Sequence, residues 1–226
     1  MSITLGFDVY GTLIDTAGIT AALRKYAGED AAAFSSLWRD KQLEYSFRRG
    51  LMQNYQHFAV CTRNALDYVC NIMGYEISSA DRDELMAQYR ILPAFPDVLE
   101  ALPKLQQGDF KLFAFSNGRK SDVSNLLENS GISSYFSDVI STDEIKSFKP
   151  NPAVYAHFLR RTGATGKEAW LISGNPFDVI GAISSGMRGA WVKRSERACF
   201  DPWEIQPTTT VSHIGELKDA LETARR

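Results

Sequence analysis

The sequence predicts a protein of the α/β class: a parallel β-sheet with helices on both faces and a helical subdomain inserted after the first strand. Three observations predict it. Residues 3–9 form a β-rich, mostly apolar run, as a strand buried on both faces requires. From residue 93 onward, short runs of this kind alternate with helical segments, the pattern of βαβ units. Between the two, residues 15–92 carry apolar residues three and four apart with no twofold alternation, which is helical spacing.

Taken in order, strand one covers residues 3–9 and stops at Tyr10, Gly11 and Thr12, where Gly11 permits a tight turn. Within the insertion, residues 36–45 and 64–73 have the clearest helical pattern. After Leu92 and Pro93 a helix is expected over 96–107, a strand over 111–115, a helix over 121–128 and a short strand over 138–141. A helix over 151–161, a strand over 170–173, a helix over 178–185 and a strand over 189–193 follow. Residues 213–226 are expected to form a surface helix. Gly11 and Pro93 bracket the excursion, so the expected division is a core of residues 1–14 and 93–226 and a helical cap of residues 15–92.

Composition narrows the function classes. A net charge of −2, with lysines and arginines scattered and Arg48–Arg49 and Arg225–Arg226 being pairs rather than patches, supplies no field for nucleic acid or an acidic membrane surface. No apolar run approaches the ~20 residues that span a bilayer, and the N-terminal residues carry no signal-peptide pattern. Cys61, Cys70 and Cys199 match no metal-binding spacing and read as structural thiols in a reducing compartment. A cytoplasmic protein is expected.

In open parallel sheets, reactive groups gather beyond the carboxyl ends of the strands. Strand one ends in Asp8 and Thr12, and the next in Ser116, Asn117 and Gly118. The loop before the 151–161 helix holds Lys149 and Pro150. The following strand ends in Ser173, Gly174, Asn175, Pro176, Phe177 and Asp178. Each group alone has an ordinary reading. An aspartate at a strand end caps a turn, Ser–Asn–Gly makes one, and Lys–Pro lies in a solvated loop. Two carboxylates, an ammonium and several small polar groups brought to one sheet edge point instead to a reaction site, with Asp8 as a carboxylate nucleophile.

The runs from Phe7 to Leu13, Phe115 to Gly118, Phe148 to Pro150 and Ser173 to Asp178 resemble the four motifs of the haloacid dehalogenase superfamily. Order and spacing agree over nearly the whole chain, and so does a helical cap after the first motif. The resemblance implies a Rossmann-like core. It leaves the reaction open, because most members are phosphatases and a fold does not fix function.

Two positions separate phosphate from halide chemistry. The phosphatases carry an aspartate two residues after the nucleophile to protonate the leaving oxygen; here that position is Tyr10. A halide leaves without a proton, so the loss matters little to a dehalogenase. The phosphatases also hold Mg²⁺ on a Gly–Asp pair in the fourth motif; here the pair is Ser173–Gly174, and only Asp178 remains. A hard divalent cation needs several oxygen ligands, so the arrangement favours Lys149 neutralising Asp8 and Asp178. No metal and no cofactor are expected.

Within the superfamily, the first and fourth motifs are similar to those of the L-2-haloacid dehalogenases, and residues 38–45 resemble their halide-receiving segment. The resemblance implies hydrolysis of an (S)-2-haloacid or haloacetate, a small anionic substrate, to an (R)-2-hydroxyacid or glycolate through an Asp8 ester, with inversion at C2. Carried over residue by residue, Thr12 and Lys149 aim Asp8, and Ser116 with backbone amides near Tyr10 holds the substrate carboxylate. Arg39, assisted by Asn117, receives the halide. Asp178 is the water base, positioned by Ser173 and Asn175. Tyr10, Leu43, Phe58 and Phe177 wall the alkyl group, and Tyr155 matches a site tyrosine.

The chain departs from the pattern at Gly174, where serine is common, at Pro176–Phe177, where alanine–tryptophan is common, and at Asp40, where glutamine follows the arginine. Three alternatives stay open: another metal-free hydrolase that opens a strained cyclic amino acid of the azetidine-2-carboxylate type, a Mg²⁺-dependent phosphatase, and a catalytically idle anion binder or scaffold. The family tendency implies a homodimer, though no sequence signal marks an interface.

Overall fold

A computed structural model describes residues 2–224. Strand β1 (Ile3–Phe7) is buried along its whole length, which explains why its residues are apolar without alternating. Four helices follow: α1 (Ala17–Ala27), α2 (Ala31–Leu51), α3 (Phe58–Met73) and α4 (Ser79–Gln88). Then come α5 (Pro96–Gln106), β2 (Phe110–Ser116), α6 (Lys120–Asn129), β3 (Asp138–Ser141), α7 (Pro152–Thr162) and β4 (Ala169–Ser173). The chain continues through α8 (Pro176–Ser184), β5 (Arg188–Val192), β6 (Thr209–Val211) and α9 (Leu217–Thr223).

All strands are parallel, in the order β3-β2-β1-β4-β5-β6. The order reverses on either side of β1, so the crevice beyond the ends of β1 and β4 is the topological switch point. Register sets those ends level: Phe7 lies opposite both Ala114 and Ile172. Successive residues of β4 point to opposite faces. Trp170 and Ile172 join the larger core with α5, α6, α9 and the inserted helices, while Ala169 and Leu171 pack with α7 and α8. Gly6 permits a close approach on the second face, since a Cβ there would stand 2.6 Å from the Phe158 ring of α7.

Local signals start and stop the helices. Asn151 accepts the Ala153 N–H and Pro152 occupies the first turn of α7, which ends at Gly163 with φ 67°. Ser78 caps α4 by accepting the Asp81 N–H. Helix α3 buries Phe58, Cys61, Thr62, Ala65, Leu66 and Val69 along one stripe. The Trp38 indole of α2 donates to the Thr62 carbonyl at 2.8 Å, tying these two helices together. The outgoing and returning chains of the insertion pair with each other: Ile14 bridges Ala94 antiparallel, Asp15 N donates to Pro93 O, and Phe95 N donates to Leu13 O.

Some expectations need correction. β6 was not foreseen; it is three residues long and only half-buried, too short to leave a pattern. Residues 213–226 are not a simple surface helix. A 3₁₀ turn over Ile214–Glu216 leads into α9, and Ile214, Leu217 and Leu221 are buried against the core. The last two residues of that expected helix lie outside the described ones. Among the described residues, no helix is long and apolar enough to cross a membrane.

Candidate active site

Asp8 stands one residue past β1, its N–H donating to Ile172 O at 2.9 Å. Its side chain is 12% exposed. The Oδ2 atom accepts from Asn175 Nδ2 at 2.7 Å, Thr12 Oγ1 at 3.0 Å and Ser173 Oγ at 3.3 Å. The Oδ1 atom has one partner, Lys149 Nζ at 3.2 Å. A carboxylate held by this many donors is fixed in direction. Thr12 is itself fixed, because its hydroxyl oxygen accepts the Gly174 N–H at 2.8 Å.

Lys149 uses all three ammonium hydrogens. They go to Asp8 Oδ1, to Asp178 Oδ2 at 2.7 Å and to Phe115 O at 2.8 Å, with the Phe115 ring centroid 4.2 Å from Nζ. Asp178, in the first turn of α8, is wholly buried, and its Oδ1 accepts from Tyr155 Oη at 2.8 Å. Two carboxylates thus share one ammonium away from water. Burial pushes Asp178 up to about 6, Lys149 works against that, and the Asp8 charge adds to it. Burial alone would lower the Lys149 ammonium, but Asp178 and Asp8 outweigh it and hold it above its ordinary value.

A divalent cation does not fit this donor set. Lys149 Nζ lies between the two carboxylates, and a Cβ at position 174 would come within 2.5 Å of the Gly11 carbonyl oxygen. No third carboxylate can be built there on this backbone. Among the described residues, no three His, Cys, Asp or Glu side chains converge.

In front of Asp8 is a pocket of about 10 Å³, room for about one water. Ser116, Asn117, Lys149 and Asn175 wall it on the sheet side; Tyr10, Phe58, Phe177, Arg39 and Leu43 close it from the other. Asn117 Oδ1 accepts from Lys149 N at 2.9 Å and Thr142 Oγ1 at 3.3 Å. That fixes the amide orientation and leaves its N–H₂ for the pocket. Ser116 Oγ accepts from Gly118 N at 3.1 Å, so its own proton remains to be donated. Arg39 reaches Asn175 Oδ1 at 3.5 Å, and Asp40 faces solvent, away from the pocket.

The expected residues therefore gather, with two changes of partner. Ser173 and Asn175 bind Asp8, not Asp178; Asp178 is held by Lys149 and Tyr155. Tyr155 is fully buried beneath Asp178 and does not line the pocket; Gly181 lets its hydroxyl approach α8, where a Cβ would stand 2.5 Å from it. Two residues were missed. Gln42 is 1% exposed, accepts from Arg39 Nη1 at 2.6 Å and donates to Thr62 Oγ1 at 2.5 Å. Its position three residues after Arg39 on a helix was the available signal. Arg194, after β5, donates to the Thr12 carbonyl and forms a two-pronged pair with Asp97 at 2.7 and 2.8 Å. No local pattern joins residues so far apart in the chain.

A family model described as haloacid dehalogenase-like hydrolase matches residues 6–192. The (S)-2-haloacid dehalogenase 2 of Pseudomonas sp. (strain CBS-3) is 34% identical over 218 residues, covering 96% of this chain and 95% of that protein. Haloacetate dehalogenase H-2 of Moraxella sp. (strain B) is 35% identical over 207 residues, 92% of each chain. The L-2-haloacid dehalogenase of Xanthobacter autotrophicus superposes with a TM-score of 0.89 at 29% identity, over 98% of this chain and 99% of that one. It has also been solved with chloropropionic acid covalently bound.

Proposed function

The chain belongs to the haloacid dehalogenase-like hydrolases, and from that membership we propose that it is a metal-independent dehalogenase converting an (S)-2-haloacid, or a haloacetate, and water to the (R)-2-hydroxyacid, or glycolate, and halide. The observation that carries this reading is Gly174, which stands where a phosphatase would need a metal-binding carboxylate and whose Cβ would come within 2.5 Å of the Gly11 carbonyl oxygen. The names of the relatives support the same substrate class.

The roles follow from the geometry. Asp8 Oδ1, with a single partner, has lone pairs to spare and attacks C2 opposite the carbon–halogen bond. An ester bond forms, the carbon–halogen pair leaves with the halide, and C2 inverts. Ser116 Oγ–H and backbone amides near Tyr10 hold the incoming carboxylate. Arg39, aimed by Gln42, and the Asn117 amide receive the halide. Tyr10, Phe58, Leu43 and Phe177 keep the reacting carbon dry.

Alkylation removes the Asp8 charge and weakens its hold on Lys149, opening space beside Asp178 for water. The Asp178 carboxylate takes a proton from that water as its oxygen attacks Cγ of Asp8. The bond from Cγ to the substrate oxygen then breaks, the proton passes to that oxygen, and the hydroxyacid departs with an oxygen that began on Asp8. Tyr155 keeps Asp178 in place.

The chain acts in the cytoplasm, a reading supported by its three free cysteines, two of them buried. It works as a homodimer; exposed Leu51, at the end of α2, and Met52 just after it support that. Nucleic acid and membrane are not partners. Halide release from 2-chloropropanoate and chloroacetate, measured with and without chelator, tests the activity, and release should persist in chelator. No release, together with Mg²⁺-dependent hydrolysis of an aryl phosphate, would sink it. One turnover in ¹⁸O water should label Asp8; label in the first product would exclude the ester.

A further inference from the structure

Tyr10 stands two residues past Asp8, and the departure of a halide makes no use of a proton from its hydroxyl. Its backbone is fixed to the nucleophile: Tyr10 O accepts from Asn175 Nδ2 at 3.2 Å, and the same amide holds Asp8 Oδ2. Its ring is set by Phe58, at 6.5 Å, and by the edge of Tyr89, at 6.0 Å. The side chain lines the pocket in front of Asp8. Yet Tyr10 Oη makes no hydrogen bond within the described residues, whereas a tyrosine hydroxyl taken from water ordinarily finds a partner. A proton donor is thus held at the pocket with no acceptor of its own.

This hydroxyl lies toward the leaving side of the site. Burial, Tyr89 and Asp122 raise it above the ordinary phenol range, Arg39 opposes them, and the Asp8 charge adds less than Arg39 removes. The guanidinium therefore acts on Tyr10 Oη more strongly than the nucleophile does. Arg39 also lines the pocket, where it receives the leaving atom while Asp8 attacks from behind. A leaving halide has no need of the proton that Tyr10 offers there. A leaving oxygen does.

We propose that the site also opens 2,3-epoxycarboxylates with Tyr10 as the acid, hydrating (S)-oxirane-2-carboxylate to (R)-2,3-dihydroxypropanoate. The inference rests on the same Asp8 ester as the dehalogenase reading and adds a second class of substrate to it. The epoxide is no larger than (S)-2-chloropropanoate, with its ring oxygen in the place of chlorine and its C3 in the place of the methyl. Asp8 Oδ1 bonds to C2 as the bond from C2 to the ring oxygen breaks. The electron pair stays on that oxygen, which takes the Tyr10 proton and becomes the C3 hydroxyl. Arg39 stabilises the phenolate left behind. Water then attacks Cγ of Asp8, and one of its protons passes through Asp178 to the C2 oxygen. Its other proton, left on the Asp8 carboxyl, returns through water to Tyr10. One water is consumed for each epoxide.

Hydration of (S)- and (R)-oxirane-2-carboxylate would be followed by chromatography, beside chloride release from (S)-2-chloropropanoate, for the wild type, Tyr10→Phe and Tyr89→Phe. Tyr10→Phe keeps the ring and breaks no hydrogen bond of the hydroxyl, and circular dichroism verifies the fold. The wild type should hydrate the (S) epoxide in preference to the (R). Tyr10→Phe should lower the epoxide-to-chloropropanoate ratio of kcat/KM about 100-fold, the scale of a general acid's contribution. Tyr89 lies outside the pocket at Asp8, so Tyr89→Phe should leave that ratio as in the wild type. One turnover of the epoxide in ¹⁸O water should label Asp8, and label in the first product overturns the inference. A wild type that releases chloride but hydrates neither epoxide overturns it too. So does a ratio unchanged in Tyr10→Phe, or lowered as far by Tyr89→Phe. Failure of the wild type to release chloride would overturn the dehalogenase reading itself, a separate outcome.

Discussion

In the proposed reaction, burial prepares Asp178 for a single step. Its carboxyl is pushed up to about 6 by desolvation and the Asp8 charge. It is therefore ionised and able to accept a proton at neutral pH, and each pH unit below 6 removes about tenfold of the ionised form. The ester lacks the Asp8 charge that helps to raise Asp178, so decay of a preformed Asp8 ester, followed by mass spectrometry, should slow with acid only below pH 6, while a rate independent of pH from 7 to 4 would remove Asp178 from the step. Asp178→Asn should form the ester and retain it. The stability sign is opposite to that of an ordinary paired aspartate. A folded value above the ordinary 3.8 of an aspartate means that ionisation opposes folding, so the contribution of Asp178 is full below about 4 and is lost as pH rises through 6. The Tm of Asp178→Asn relative to the wild type should accordingly improve between pH 4 and 7. Gln42 acts one contact further out, as a positioning residue for Arg39. Gln42→Leu should lower the rate of ester formation about tenfold with the ester's decay unchanged; equal slowing of both steps would mean general damage to the fold. Gln42→Glu, which keeps the acceptor for Arg39, should recover most of the loss.

At the scale of elements, the site depends on how three chain segments are tied behind it. Arg194 follows β5, Asp97 opens α5, and Thr12 belongs to the turn after β1. The guanidinium grips the Asp97 carboxylate with Nη1, donates to the Thr12 carbonyl with Nη2 and lies 4.0 Å from the Phe95 ring centroid. Asp97 also accepts the Ile214 N–H at 2.7 Å, which fastens the chain before α9. The Arg194 Nε is buried without a partner, the one such side-chain atom among the described residues, so the pair holds despite an unmet donor. Arg194→Met should cost about 3 kcal/mol, as expected when one member of a largely buried pair is removed. It should also lower kcat more than it raises KM, because Thr12 aims Asp8 and does not touch substrate. A Tm loss with kcat unchanged would confine Arg194 to stability. The β1–β4 contact explains a departure that was only descriptive in the sequence: Gly174 is required here because Gly11 O approaches it.

At the scale of the whole molecule, the inserted helices close over the sheet edge. Tyr55 Oη and His57 Nδ1, from the segment before α3, meet Asp143 after β3 at 2.6 and 3.0 Å. Tyr55 stacks on Phe148 at 5.0 Å, immediately before Lys149, and Phe47 of α2 meets Phe177 at 5.1 Å. A pocket of about 10 Å³ behind these contacts means that substrate enters only when they part. Tyr55→Phe keeps the stack and removes the hydroxyl bond. Hydrogen exchange over residues 58–62 should quicken and KM should shift, with ester decay unaffected. Exchange identical to the wild type would show that this hydroxyl does not hold the helices down.

Much of this protein was legible in its sequence. The apolar run of β1, the helical spacing of the insertion and the alternation after residue 93 are local patterns, and each needs only its own neighbours to be read. Asp8, Lys149 and Asp178 were legible for a related reason: a parallel sheet sends its strand ends to one edge, so residues there can be assembled from topology alone. What escaped was set by packing between distant segments. The short half-buried β6 and the buried stripe of α9 depend on their partners. So does the assignment of Ser173 and Asn175 to Asp8, of Tyr155 to the underside of Asp178, and of Arg194 to Thr12. Sequence by itself determined which groups reach the sheet edge and that the chemistry avoids a phosphatase acid. Tertiary structure decided which oxygen each donor meets, how far Asp178 is pushed from water and how little space stands before Asp8. Those are properties of side-chain distance and desolvation, which no periodicity along one chain encodes.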